Sequence, residues 1–173
     1  IYNSPYEGGS IPNSLENFND HNYLREYFSI PNSCKIYVYV GMLMPGRGIE
    51  LILSVFQNPQ VSDYVIFIGD GVYDRQIANV SKKYSNVHLH KSVPHNLLVD
   101  MIQTADYGLC LIENVSLSDY YSLPNKLFEF AFSGLRIIGS DFPEISKFLL
   151  DHNLGTCCSH DHDNLLDLVL SNP

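Results

Sequence analysis

Three side chains in this chain of 173 residues stand where a phosphate-bearing ligand could be met: Arg47 and Lys126 by charge, and Glu129 as a hydrogen-bond acceptor. Arg47 belongs to GMLMPGRG (41–48), a glycine-rich stretch between an apolar run and a helical pattern. Backbone N–H groups are unpaired at a helix start, and a guanidinium beside them suits a phosphate. A solvated surface arginine is the alternative. Lys126 follows Pro124 and Asn125 at the head of a second helical pattern, and Glu129 lies one turn further in. That lysine at a helix N-terminus favours a pyrophosphate, or is an ordinary surface lysine. The carboxylate can accept hydrogen bonds from a ribose diol, or simply complement the helix macrodipole.

Other chemistries are poorly supplied. The first loop does not read GxGxxG, and no acidic residue ends the next strand, so a dinucleotide fingerprint is missing; GDG (69–71) alone reads as a tight turn. There is no Walker A sequence, and the first strand lacks the acidic end of a receiver domain. Cys34, Cys110, Cys157 and Cys158 show no zinc spacing and read as reduced thiols of a cytosolic protein, Cys110 as a core filler. His160, Asp161 and His162 precede a helix, where Asp161 reads as an N-cap rather than a metal ligand. His88 and His90 alternate on one strand face and are expected at a solvated or edge position. The net charge of −9 argues against a general nucleic-acid or anionic-membrane binder but leaves room for one cationic pocket. No apolar run is long enough to span a bilayer.

The elements that must carry these residues alternate. Apolar strand-like runs at 35–41, 63–69, 86–90, 107–112, 136–140 and 154–158 are separated by helical patterns at 47–56, 73–84, from Pro94, 124–134, 143–151 and from Asp161. Continuously apolar strands imply helices on both faces. The reading is an α/β, Rossmann-like parallel sheet of about six strands with right-handed crossovers over residues 35–173. Ligands of such sheets bind beyond the carboxyl ends of the strands. Residues 1–34 are rich in Pro, Gly, Asn and Ser and read as a linker with one short helix from about Asn19 to Phe28. With Ile1 in place of Met, they suggest a piece of a longer polypeptide.

Taken in order, GMLMPGRGIELIL, FIGDG, NVHLHKSVPHNLL, ADYGLCLI and SLPNKLFEFAFSGLRIIGSDFPEI resemble the C-terminal, donor-binding half of a GT-B glycosyltransferase, of the retaining enzymes that use nucleotide sugars. The resemblance covers residues 35–170, and IYNSPY resembles the linker crossing from the other half. It implies that Glu129 binds the ribose hydroxyls and that Arg47 stands for the family's diphosphate-binding lysine. Gly41, Asn125 and Tyr121 are further donor-binding positions. Lys91, Ser92, Val93 and Pro94 hold the base, and Gly69 and Asp70 line the cleft. Two positions depart from the pattern. Met42 stands where the family often has Arg, which leaves Lys126 to supply the second cation. Tyr121 stands where a second glutamate is frequent, with Glu113 or Asp119 as unplaced substitutes; Tyr120 and Tyr121 are candidates for stacking on a sugar or base.

The expected function is therefore donor binding, of a UDP-sugar, for retaining transfer to a glycan or lipid-linked acceptor in surface polysaccharide or glycoconjugate synthesis. No metal or other cofactor is called for. Expected partners are the nucleotide sugar and an acceptor domain of the same polypeptide, not nucleic acid. The expected place is the cytoplasm, with peripheral membrane association through that other half. The isolated chain is expected to bind donor without transferring sugar. The rivals are a non-catalytic nucleotide-binding module and half of a sugar-nucleotide epimerase.

Overall fold

A computed structural model describes residues 22–172. Six parallel strands form one sheet in the order β3-β2-β1-β4-β5-β6. They are β1 (Ile36–Val40), β2 (Tyr64–Ile68), β3 (Val87–His90), β4 (Tyr107–Cys110), β5 (Arg136–Ser140) and β6 (Gly155–Cys158). The helices are α1 (Tyr23–Phe28), α2 (Ile49–Phe56), α3 (Asp74–Ser81), α4 (His95–Ile102), α5 (Leu117–Tyr120), α6 (Asn125–Phe132), α7 (Pro143–Asp151) and α8 (His162–Ser171). Strand and helix positions match the apolar runs and periodicity of the sequence. The short α5 is an addition, because four residues carry no readable period.

Two cores explain the continuously apolar strands. Tyr37, Tyr39, Val65, Phe67 and Leu109 face α2, α3 and α8, with Ile52, Ile77 and Leu165 packed on them. Ile36, Val38, Ile66, Cys110 and Ile137 face the opposite layer, filled by Leu24, Met101, Phe130 and Leu149 of α1, α4, α6 and α7. Winding reverses between β1 and β4, so the crevice of an open α/β sheet falls at their carboxyl ends. Gly69 is required there: a Cβ at this position would collide with the Gly41 carbonyl oxygen. That close approach lets Leu43 and Gly71 bridge the two first loops.

The start of the predicted helix, Asn19 to His21, lies outside the described residues, as does most of the predicted linker. The described part, from Asn22 to Cys34, is docked on the sheet. Arg25 of α1 pairs with Asp106 at 3.1 Å, and Asp106 also takes Lys35 and the Ile36 N–H. The expectation of solvated histidines is corrected. His88 and His90 do lie on an edge strand, but α1 covers them. His88 is stacked between Phe28 and Tyr64, with its Nε2 buried and lacking a partner among the described residues. His90 is 2.7 Å from the Lys91 carbonyl through Nδ1 and 3.1 Å from the Tyr23 hydroxyl through Nε2.

Burial holds both imidazoles below their ordinary range, in His90 against an opposing pull from the Lys91 carbonyl. A depressed histidine pKa means that the unfolded chain takes the proton first. Their contribution to stability is complete above about pH 6.5 and fades as pH falls below it. His88→Phe retains both ring stacks and removes the titrating, unpaired nitrogen. Urea unfolding at stepped pH from 7.5 to 5 should show a shallower acid loss of stability in this variant. An unchanged slope would mean that His88 is not a source of the acid sensitivity.

Candidate active site at the carboxyl end of the sheet

The loops after β1, β2, β3 and β4 bring all the candidate residues to one edge of the sheet. Gly41, Arg47, Asn125, Lys126 and Glu129 come from the two connections flanking the reversal. Gly69 and Asp70 follow β2, and Lys91, Ser92, Val93 and Pro94 follow β3. Gly69 donates its N–H to the His90 carbonyl, and the Asp70 carbonyl accepts from Leu43, while the Asp70 side chain is exposed. Val93 packs partly on the core below α4, leaving Lys91 and Ser92 at the surface.

The first loop is occupied differently from the sequence expectation. The α2 N-terminus is not open: the Gly48 N–H donates to Glu113 Oε1 at 3.3 Å. A carboxylate thus already fills the position proposed for an external anion, with the favourable sign for a helix start. Gly48 itself has a φ of 70°, the left-handed region natural to glycine. Arg47 is not a free cation either; its guanidinium pairs with Asp119 of α5 at 3.4 Å and is 42% exposed. Asp119 is held in turn by the Ser116 hydroxyl at 2.7 Å. Glu113 and Asp119, unplaced by the sequence, therefore act on α2 and Arg47. His160 approaches Glu113 at 3.8 Å.

Lys126 differs from Arg47. Among the described residues no acidic side chain lies within ion-pair distance of its ammonium. Instead, the nitrogen sits 3.9 Å from the centre of the Tyr39 ring. α6 lies on one face of the sheet, whereas Tyr39 belongs to the core of the other. Lys126 therefore crosses the sheet end between β1 and β4, passing beside Gly41, where a Cβ would stand 3.8 Å from the nitrogen. Burial lowers the Lys126 pKa to about 8, with Cys110 and Glu129 opposing and Arg47 reinforcing the shift. Asn125 and Lys126 are also the first residues of α6, whose N–H groups precede any acceptor one turn back.

Glu129 lies one turn inward, with its side chain only 17% exposed and its Oε1 3.3 Å from His95 Nδ1. His95 opens α4 and is 77% exposed on its side chain. The sequence reading missed it, although its position straight after Pro94 at a helix start was a usable signal. It also missed Tyr39, which a strand run alone does not distinguish from its neighbours. The two donor-loop tyrosines meet edge to face at 5.0 Å; Tyr120 is half-buried and also packs on Phe142 at 5.0 Å, whereas Tyr121 is 59% exposed. Asp161 caps α8, accepting from the Asp163 and Asn164 N–H groups. No group of three or more His, Cys, Asp or Glu side chains able to hold a metal occurs among the described residues. None of the candidate residues borders the open groove of about 530 Å³ along α3, lined by Gln57, Arg75, Gln76 and Lys83. No described helix is long and apolar enough to cross a membrane.

No family model and no curated protein matches the sequence. Solved structures do match the fold. WaaG, a glycosyltransferase involved in lipopolysaccharide biosynthesis, superposes over 95% of this chain with a TM-score of 0.63 at 17% identity. HepE from Anabaena, solved in complex with UDP and glucose, covers 88% with a TM-score of 0.66 at 13% identity. AviGT4, a glycosyltransferase involved in avilamycin A biosynthesis, covers 80% with a TM-score of 0.59 at 13% identity. This chain spans 42% to 44% of the length of those proteins. The likeness is one of fold: the described domain has the Rossmann-like architecture of one half of a GT-B glycosyltransferase.

A lysine with a lowered pKa destabilises the fold while it is charged. Between about pH 8 and its ordinary 10.5 the folded chain has released the proton and the unfolded chain has not, so stability rises with pH across that window. Below pH 8 the buried charge exerts its full cost. Lys126→Met should raise stability at pH 7 by roughly 2 kcal/mol and flatten the alkaline rise. Thermal unfolding at pH 7 and pH 9.5 measures both effects. A destabilised Lys126→Met protein would show that the ammonium is compensated in the free chain.

Proposed function

We propose that this chain supplies the donor-binding half of a retaining glycosyltransferase and takes a nucleotide diphosphate sugar, with UDP as the nucleotide. The observation that carries this reading is the half-buried Lys126 ammonium at the reversal of the sheet, with no carboxylate within ion-pair distance among the described residues. A diphosphate is the ligand that completes such a site. Glu129, one turn deeper on the same helix, is spaced to receive the ribose hydroxyls, and the backbone after β3 lies where the base would rest. HepE, whose fold this chain shares, was solved with UDP and glucose, which supports the choice of nucleotide.

In the reaction, the glycosidic bond to the diphosphate lengthens and negative charge grows on the leaving oxygens. Lys126 and the first N–H groups of α6 meet that charge, and Arg47 joins by exchanging Asp119 for phosphate. The ammonium is already desolvated, so little reorganisation accompanies charge development. No metal is invoked for this step. Acceptor binding and the in-line geometry of transfer belong to the part of such enzymes that this chain does not span. We place the reaction in surface polysaccharide or glycoconjugate synthesis on the cytoplasmic side, with the peripheral membrane contact made elsewhere in the protein.

A second reading has specific support. Met42 and Tyr121 replace charged family residues, and Arg47 is already paired with Asp119. On that reading the domain binds a nucleotide without transferring sugar. Turnover of a radiolabelled sugar nucleotide, by a polypeptide joining this domain to an acceptor domain, separates the two readings.

Calorimetry on the present chain tests donor binding. UDP should bind in the micromolar range and more tightly than GDP or ADP. Glu129→Ala should weaken UDP and uridine alike, about 30-fold for a loss of about 2 kcal/mol. Lys126→Met should weaken UDP by at least tenfold and leave uridine within about twofold. If wild-type protein shows no saturable UDP binding up to millimolar concentration, the donor-domain reading is wrong.

A further inference from the structure

We propose that Tyr39 is the positioning residue for the Lys126 ammonium, seating the charge on its ring at the sheet end so that the N–H donors stay available to a diphosphate. The proposal rests on the reading of Lys126 as the phosphate cation. A lysine at the head of an exposed helix has four rotatable bonds and an open route to water. Lys126 instead turns across the sheet end to a ring on the opposite face, and something must hold it there. Among the described residues no carboxylate does so. Glu129 acts on it from the same helix, Cys110 from β4 and Arg47 from the first loop, and Arg47 has its own partner in Asp119. The contact at 3.9 Å from the ring centre is the geometry of a cation held by an aromatic face.

The ring is well suited to that task because it cannot move. Tyr39 is buried on the central strand β1, lies 5.8 Å from the Phe67 ring, and donates its hydroxyl to the Met42 carbonyl at 2.9 Å. The hydroxyl thus ties the first loop to the same ring that holds the cation. A π face also does something that a carboxylate could not. It attracts the ammonium without neutralising it, and it leaves the other side of the nitrogen free to donate. A glutamate or aspartate in this position would compete with the phosphate for the charge. Gly41 completes the passage by presenting no side chain to the lysine.

Two measurements test this. The first needs no ligand. Titration of the Lys126 ε-carbon by NMR in isotopically labelled protein, assigned by its disappearance in Lys126→Arg, should show an inflection near pH 8. Tyr39→Phe keeps the ring and should leave the inflection within about 0.3 unit. Tyr39→Leu removes the ring and should lower it by about one unit. The second measurement is calorimetry with pyrophosphate, UDP and uridine. Tyr39→Leu should weaken pyrophosphate and UDP about tenfold and uridine less than twofold, with Tyr39→Phe near wild type. Should Tyr39→Leu fail to fold, replacement of Tyr39 by phenylalanines of increasing fluorination drains the ring face at constant shape. The inflection and the pyrophosphate affinity should then fall stepwise with fluorine count.

An unchanged inflection across the fluorinated series or in Tyr39→Leu would overturn the proposal. So would a Tyr39→Phe protein as impaired as Tyr39→Leu, which would assign the effect to the hydroxyl and the Met42 loop. If wild-type protein bound neither UDP nor pyrophosphate, the donor-domain reading would fall. The ligand-free titration would still decide whether Tyr39 seats the lysine.

Discussion

A parallel sheet must be covered on both faces, and the two layers of helices cannot follow the chain in one direction only. Here the chain winds outward from β1 to β3 and then returns to place β4 on the other side of β1. The reversal leaves the carboxyl ends of β1 and β4 side by side, with their following connections departing to opposite faces. Everything chemically notable in this molecule depends on that parting. It is the opening across which a lysine from α6 on one face reaches a tyrosine of the other. On the other side of β1, the close approach of the first two loops makes glycine obligatory at position 69, where a Cβ would meet the Gly41 carbonyl.

The charges around the opening are arranged by competition. A chain of net charge −9, with 10 Lys and Arg against 19 Asp and Glu, has few cations to concentrate. Glu113 takes the N-terminus of α2, and Asp119 takes Arg47. Lys126 lies against the Tyr39 ring, with no carboxylate within ion-pair distance among the described residues, and burial holds its pKa down to about 8. A well-packed apolar residue there would stabilise the fold. Keeping the ammonium is therefore a cost in stability that a bound anion would offset. Glu129 shows the same pattern more mildly, being largely buried and paired, among the described residues, with an exposed histidine. Both groups lie on one helix, one turn apart.

The far edge of the sheet is governed by another constraint. β3 is an edge strand, and its two histidines would face water without α1. The helix is only six residues long, too short to stand by itself, and it is anchored by Arg25 to Asp106 and by aromatic packing on His88 and His90. The segment before the first strand is thus part of the domain's cover in its described portion. Acid sensitivity at this edge and charge sensitivity at the sheet end are separate, since they involve different residues and opposite ends of the pH scale.

The sequence by itself determined the strands, most of the helices and the parallel architecture. Those features are local: continuous apolar runs, helical spacing, and glycine or proline at the turns act over a few residues. It also marked Lys126 and Glu129, because a helix start and a one-turn spacing are local too. Which partners these groups meet was decided by the tertiary structure alone. Arg47 and Asp119 are 72 residues apart, and Gly48 and Glu113 are 65 apart. Nothing in either stretch announces the other, since strand order brings them together only after the chain has reversed. Tyr39 reads as one more strand residue in the sequence, and only packing places its ring against Lys126. The alternating histidines looked solvated because period-two spacing fixes a shared face but not what covers it. Cover, pairing and desolvation are properties of the whole assembly of elements, and for that reason they became visible only in three dimensions.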